Sequence, residues 1–402
     1  MNNFDVGIIG AGVAGSFAAL KIAKDHKNAK AVLFDLGRPP MKRRRQLEGW
    51  LGCLPNSDGK LYLNDVTKVS ELVGTRRINA ANNFFTKVIS QTGKFKVNKD
   101  KGPSASLEKR LNKNDFSVIL NDYIQMYPKD IHCLSKNIAD AVEQTGNVTF
   151  NFDNEVKKIY KQKNVFVVVT DEQEFRCKKI IIAVGRSGWR WAKDLFTDFG
   201  IVDSNDNAKF GIRIELSSPH MKDFNKSNCT LLKNDLEIGP LSWFGTVIPE
   251  DHVDVAISAF RSNENRWKTD KVSFNLIGNR PFPNSGFEQT DRISKLTFVL
   301  SNDRILKEKV SYILSDKSKI SIIPEYNWLK EAILDLENII PDLSSKSYFH
   351  VPTIIPSSPK INIGNNLETE IDGMFVVGES AGVHGILAAG LMGTIAADQA
   401  CK

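Results

Sequence analysis

The sequence predicts an α/β fold in three layers, assembled from both ends of the chain, with a mainly antiparallel α+β domain inserted between them. Three observations predict it. Near the start, Phe4-Asp5-Val6-Gly7-Ile8-Ile9-Gly10-Ala11-Gly12-Val13-Ala14-Gly15 is a buried-strand pattern that runs into a glycine-rich turn and then an apolar helix. Near the end, Gly373-Met374-Phe375-Val376-Val377-Gly378-Glu379-Ser380-Ala381-Gly382 is again a strand, a glycine, an acid and a helix start. Between them, from about Gly200 to Tyr348, the pattern changes to alternating stretches such as Phe210 to Leu216, Ser242 to Ile248 and Val253 to Phe260, the signature of strands with one buried face.

Bulk properties narrow the class. At 402 residues and 44.9 kDa the chain exceeds one average domain. Hydrophobic residues are 41% and charged residues 25%, ordinary values for a globular protein, and no apolar run approaches the ~20 residues a membrane-spanning helix needs. The first residues enter the strand at Asp5 without a basic leader or an apolar signal core, so a mature start and a cytoplasmic location are expected. Cys53, Cys133, Cys177, Cys229 and Cys401 are scattered, with no CxxC pair and no metal-ligand spacing to the six histidines. Neither a disulfide framework nor a metal site is expected. The net charge of +7 favours contact with anions, although solvated lysine is the commoner reason for such a balance.

Element by element, Asp5 to Ile9 reads as the first strand, Val13 to about Ala23 as its helix, and Lys30 to Asp35 as the second strand, a complete βαβ opening. Gly37-Arg38-Pro39-Pro40 and the basic run Lys42 to Arg45 follow, then a long glycine-bearing loop from Gly49 to Leu63. Residues 76–114 are polar and read as a surface excursion. From Ser117 to Thr145 the spacing of Ile119, Tyr123, Met126, Ile131, Leu134, Ile138 and Val142 predicts helix interrupted at Pro128. Val148 to Phe152 is a strand, Asn154 to Thr170 a hairpin, and Ile180 to Val184 a buried strand that ends in Gly185-Arg186-Ser187-Gly188 before a Trp-rich helix start. The domains expected are therefore 1–75, 115–195 and 350–402 as one discontinuous unit, with 196–349 inserted.

The glycine turn has a physical requirement at each position. Gly10 permits the tight turn, Gly12 lets backbone approach a pyrophosphate, and Gly15 lets the helix pack on the strand while its first amides meet negative charge. Asp35 stands 20 residues after Gly15, the spacing at which a carboxylate reaches adenosine ribose hydroxyls, and an acid there repels a 2′-phosphate. Glu379 sits at the carboxyl end of the last strand, where it meets a polyol hydroxyl, and the helix around Gly385, Ile386 and Leu387 directs its positive end at an electron-rich group. The plain alternative is a capped core helix with Glu379 as its first-turn acid.

Gly10-x-Gly12-x-x-Gly15 with Asp35, the Ile180 to Gly185 strand and turn, and the Gly378-Glu379 return together resemble the FAD-dependent oxidoreductases of the glutathione-reductase-like FAD/NAD(P)-binding superfamily. Ser57-Asp58-Gly59-Lys60-Leu61 and Gly382-Val383-His384-Gly385 are similar to a group of FAD-dependent dehydrogenases of uncharacterised substrate. The resemblance implies a Rossmann-like FAD-binding domain (three-layer ββα) with an inserted substrate domain. It implies FAD contacts from Gly10, Gly12 and Gly15 to the diphosphate, Asp35 to the adenosine ribose and Glu379 to the ribityl or diphosphate part. The other contacts expected are Ala11, Val13, Ala14, Leu36, Val156, Gly185, Gly378, Gly385, Ile386 and Leu387, with Arg44 and Arg45 of the basic run neutralising the diphosphate or an anionic partner, against the plain alternative of a solvated basic face. Two departures stand out: Asp35 occupies a place where Glu is commoner, and Gly-Glu replaces the usual Gly-Asp at 378–379.

The expected function is transfer of a hydride or electron pair between flavin N5 and a small-molecule or anionic substrate, with the inserted domain facing the ring. Lys60, in a loop that runs over the flavin in similar proteins, and His384, beside the flavin, are the catalytic candidates, each against a bland alternative of a solvated lysine and a capping histidine. Cys53 reads as a structural thiol. No second glycine fingerprint is present, so reducing equivalents come from the substrate, from transient NAD(P)H or from a redox partner protein. The rival readings are a flavin-dependent RNA-modifying enzyme and a non-catalytic FAD-binding protein.

Overall fold

The computed structural model describes residues 2–43, 46–202, 207–251, 256–261, 268–283, 285–302, 305–355 and 360–402. The chain divides into two compact units: one of Met1–Lys96, Ile124–Ser204 and Ser358–Lys402, the other of Val97–Tyr123 and Asn205–Ser357.

In the first unit, strand Asn2–Ile9 lies between Ala31–Phe34 and Glu174–Ile182, parallel to both, and Val148–Asn151 extends the parallel set beyond Ala31–Phe34. Strand Glu174–Ile182 divides its second edge. Its beginning, Glu174 to Cys177, pairs antiparallel with hairpin strand Val165–Thr170, and its end, Ile180 to Ile182, pairs parallel with Met374–Val376. The strands read as continuous apolar runs because both faces are buried. Val6, Ile8, Leu33, Ile181 and Phe375 enter a core shared with helices Val13–Asp25, Pro128–Glu143 and Ile386–Ala400. The alternate residues Ile9, Phe34, Ile180, Ile182 and Val376 enter a second core closed by the hairpin Val156–Gln162/Val165–Thr170 and helix Trp189–Asp198. These are the three layers.

Parallel pairing puts the turns after Ile9, Ile182 and Val376 at one edge of the sheet, the carboxyl edge. The helices that leave the first and last of them pack backbone against backbone: a Cβ on Gly393 would come within 2.0 Å of the Ala14 carbonyl oxygen. That contact explains the run of small residues in the last helix.

Residues 76–114 are not a surface excursion. Helix Thr75–Ser90 buries Ile78, Ala81, Phe85, Val88 and Ile89, and Phe85 stacks on Phe17 with ring centroids 4.5 Å apart, a contact worth about 1 kcal/mol beyond its area. Nor is the stretch from Ser117 helical throughout. Ser117–Ile119 and Tyr123–Gln125 are strands, and the helix begins at Pro128, whose missing N–H and fixed φ suit the first helical position.

The second unit holds an antiparallel sheet in the order Leu306–Lys309, Tyr348–Ile355, Asn207–Ser217, Lys271–Pro281, Leu236–Ile238, Thr230–Lys233 and Ser117–Ile119. One face carries Phe210, Ile212, Ile214, Val272, Phe274, Leu276, Phe349 and Val351 into a core with Ile293 and Leu329 from two helices. Residues 97–123 belong to this unit, which the sequence reading had begun only at residue 196. Among the described residues, no helix is long and apolar enough to cross a membrane.

The Ala14–Gly393 approach gives a direct test of the packing. Gly393→Val inserts three carbons where there is no room and lowers stability by about 3 kcal/mol, read by urea denaturation followed by circular dichroism; an unchanged midpoint contradicts the packing.

Candidate functional site

The turn Gly10–Gly12 leads into a helix whose amino end has no side-chain cap. A Cβ on Gly15 would lie 1.8 Å from the Gly10 oxygen, so the helix sits against the turn as only glycine allows, while Gly12 faces open space, with only the Ala183 oxygen as near as 3.8 Å to an added Cβ. The amides of Val13, Ala14 and Gly15 begin the helix and carry its positive end.

Asp35 does more than wait for a ligand. Its Oδ2 accepts from the Ala11 amide at 2.6 Å, and its Oδ1 accepts from Gly37 and Gly49 at 2.7 and 2.9 Å. A carboxylate offers about four acceptor directions, so roughly one is left for a hydroxyl. Burial raises the pKa of Asp35, and the three amides pull against that shift without cancelling it. Leu36 beside it is exposed. Asp153 and Asn154 donate backbone N–H groups to Gly37 and Asp35 oxygens, which brings the segment leading to Val156 alongside the end of the second strand. Val156 is buried, and its carbonyl accepts from the Trp191 indole at 2.8 Å.

The glycine-bearing loop closes on the same turn. Leu51 N–H donates to the Ala11 oxygen at 2.8 Å, and Arg43 holds the loop by donating to the carbonyls of Gln46 and Trp50, both at 2.8 Å, and of Gly52. Arg44 and Arg45 lie outside the described residues. Lys60 is buried and pairs with Asp58 at 3.3 Å, an interior position rather than a solvated turn.

The return motif forms a charged network. Val377 is followed by a 3-10 turn over Gly378–Ala381, and only at Ile386 does the last helix begin, four residues later than the sequence reading placed it. Glu379 Oε1 accepts from Arg186 at 3.0 Å and from His384 Nδ1 at 3.1 Å, so Nδ1 carries the histidine's proton. Burial works to raise the Glu379 pKa, but the Arg186 charge and the His384 hydrogen bond prevail and hold it well below the usual carboxylate range. Glu379 is therefore an anion already balanced by two partners. Arg186, next to Gly185 in the turn after Ile182, was missed by the sequence reading, although a cation following a glycine at the carboxyl edge was there to be noticed.

A second carboxyl was also missed. Asp65, in the first turn of helix Asn64–Val73, is 6% exposed, and its Oδ2 has no hydrogen-bond partner among the described residues. It lies against Gly385, where a Cβ would come within 2.0 Å of Oδ2. Burial raises its pKa to about 6 against the weaker pull of Lys68 and His384.

Cys177 and Cys229 are buried, and burial pushes their thiols up to about 12 and about 11, which makes them inert. In the second unit, the sheet holds an ion pair between buried His350 and partly buried Glu215. Glu215 accepts from His350 at 3.1 Å and from Lys307 at 3.2 Å, and these partners bring its pKa down to about 2 against the cost of burial. Burial is the main cause of a lowered His350 pKa.

These residues fit an FAD. The carboxyl edge of the parallel strands offers two uncapped helix amino ends, an acid with one acceptor direction to spare, and two buried orphan polar atoms, Asp65 Oδ2 and Ser380 Oγ. Two stability predictions follow from the charges. Arg186→Ala leaves Glu379 with one partner fewer and costs about 1–2 kcal/mol, discounted because Arg186 is one-third exposed. That loss is present at neutral pH and shrinks as pH falls below the ordinary carboxylate range and Glu379 protonates. Asp65 has the opposite sign: folding raises its pKa, so between about pH 4 and 6 the folded state binds more protons and stability falls as pH rises. Asp65→Asn is more stable than the parent at pH 8 by about 3 kcal/mol and little different at pH 4, measured by urea denaturation at both values.

Residues 5–229 match the family model described as glucose inhibited division protein A. No curated protein matches the chain. Among solved structures, glycine oxidase from Geobacillus kaustophilus is 14% identical, with 100% of this chain and 95% of that one covered at a TM-score of 0.46. Halogenase PltM is 12% identical over 98% and 67% at 0.46, and a flavoprotein/dehydrogenase from Cytophaga hutchinsonii is 14% identical over 99% and 78% at 0.45. At these scores the structural likenesses carry no functional weight, whereas the family model spans more than half of the sequence. The chain belongs to the glucose inhibited division protein A family, within the FAD/NAD(P)-binding superfamily.

Proposed function

We propose that this protein is an FAD-dependent oxidoreductase that passes a hydride or electron pair between flavin N5 and a small-molecule or anionic substrate in the cytoplasm. The observation that carries the reading is the pair of uncapped helix amino ends, at Val13 and Ile386, on one edge of one parallel sheet. Such ends bind negative charge at two separated points, which suits a two-ended cofactor. FAD when bound supplies the electron-transfer chemistry. Gly10, Ala11, Gly12, Val13, Ala14 and Gly15 hold the diphosphate. Asp35 uses its remaining acceptor direction for an adenosine ribose hydroxyl, beside Leu36 and Val156. Gly185, Gly378 and Glu379 serve the middle of the cofactor, and Gly385, Ile386 and Leu387 the pyrimidine end, where their amides favour negative charge.

His384 is the proton-carrying candidate. With Nδ1 turned toward Glu379, its Nε2 is the atom left to accept a proton from solvent or substrate. Lys60, paired with Asp58, acts through its charge rather than as a base. Transient NAD(P)H or a redox partner protein supplies electrons where the substrate does not. The RNA-modifying alternative has the net charge of +7 in its favour, and salt-dependent RNA binding distinguishes it.

Anaerobic titration of the purified protein with NADH, NADPH and a panel of small-molecule donors tests the reading. A flavin absorbance band that at least one donor bleaches is expected. Protein that neither carries nor takes up FAD contradicts it, and bound flavin that no donor reduces favours the non-catalytic alternative.

A further inference from the structure

Asp65 has no part in the contacts assigned above, and its surroundings call for an explanation. A buried polar atom without a partner is rare, and an ionised carboxylate in that state is costly. The Oδ2 atom lies where a Gly385 side chain would begin, at the amino end of a 15-residue helix with no side-chain cap. An ionised carboxylate there would be expected to collect the helix's free amides, yet none donates to it among the described hydrogen bonds. The charged groups that face it are Lys68, whose ammonium lies 3.7 Å from the other oxygen, Oδ1, and is mostly exposed, and His384 from the turn entering the last helix. That helix carries no charged residue before Asp398. On the neighbouring helix Thr75–Ser90, Arg77 donates to backbone carbonyls of Val73 and Asn365. Among the described residues no cation or amide fixes Oδ2, and burial outweighs the pull of Lys68 and His384.

We infer that Asp65 is a ligand-binding residue that keeps a proton on Oδ2 and offers it as a hydrogen bond to a neutral acceptor, a carbonyl oxygen or ring nitrogen, bound at the amino end of the last helix. Under the function proposed above, on which this rests, the acceptor belongs to the pyrimidine edge of the flavin. A carboxylic acid adds a donor there while neutral and withdraws it when ionised. Gly385 is then required twice: its bare Cα makes room for the carboxyl, and its φ of +123° sets the helix start.

The test is infrared difference spectroscopy of the full-length protein with and without FAD, at pH 5 and pH 8, on the parent, Asp65→Asn and Gly385→Ala. A protonated-carboxyl C=O band is expected in the parent at pH 5, shifting when FAD is removed, absent from Asp65→Asn, and insensitive to FAD in Gly385→Ala, where the new methyl displaces the carboxyl. FAD binds the parent about tenfold more tightly at pH 5 than at pH 8, the worth of about one hydrogen bond, and Asp65→Asn loses that difference. A flavin-loaded parent whose carboxyl band does not move with FAD overturns the role of Asp65 and leaves the cofactor assignment standing. A parent that takes up no FAD overturns the proposed function and this inference together. Should Asp65→Asn fail to fold, the parent and Gly385→Ala spectra decide.

Discussion

The helix that follows the first strand and the helix that ends the chain touch backbone to backbone at Ala14 and Gly393. Both leave the carboxyl edge of one parallel sheet, and the contact joins the first turn of one to a point seven residues inside the other, which fixes the spacing of two amino ends that almost the whole sequence separates. Their partial positive charges are thereby held at two separate points by packing that a single added methyl group would break. The buried strands between them, apolar on both faces, leave that edge as the place where backbone donors remain to be satisfied.

Around this edge the two acids of the second half of the site behave in opposite ways. Glu379 meets Arg186 and His384 and stays charged; Asp65 meets a glycine and keeps its proton to about pH 6. Both are buried, and the difference lies in the partners. One carboxyl is an internal counter-ion that fixes a histidine tautomer, and the other is an unfilled donor. Asp35 lies between these cases, bound by three amides that tie the Gly10–Gly12 turn to the following loop, so the residue that reaches for a ribose also shapes the turn that reaches for phosphate.

Much of this was legible in the amino-acid sequence because the parallel strands are buried on both faces and therefore appear as unbroken apolar runs bounded by glycine. Phe4 to Gly15, Ile180 to Gly185 and Met374 to Gly378 all carry that signature, and the antiparallel character of the inserted unit showed in the alternation of Phe210 to Leu216. Helix Thr75–Ser90 carries Ile78, Ala81, Phe85, Val88 and Ile89 at helical spacing, a pattern overlooked because Arg, Asn and Thr lie between them, and the contacts with Phe17 and Gly390 show what that face packs against. Strand Ser117–Ile119 owes its existence to Thr230–Lys233, more than a hundred residues away, and no local pattern reports such a pairing. Asp65 and Arg186 were overlooked for the same reason: each acquires its chemistry from a residue remote in sequence, Gly385 in one case and Glu379 in the other.

The central claim is that the two ends of the chain form one site for a cofactor with two separated anchoring points. Equilibrium titration of the flavin-free protein with FAD and, separately, with FMN tests it most directly. One FAD per chain, bound at least about a hundredfold more tightly than FMN, is predicted, since only FAD reaches both the Asp35 and the Ile386 ends. Equal affinity for the two, or binding of FMN alone, contradicts it.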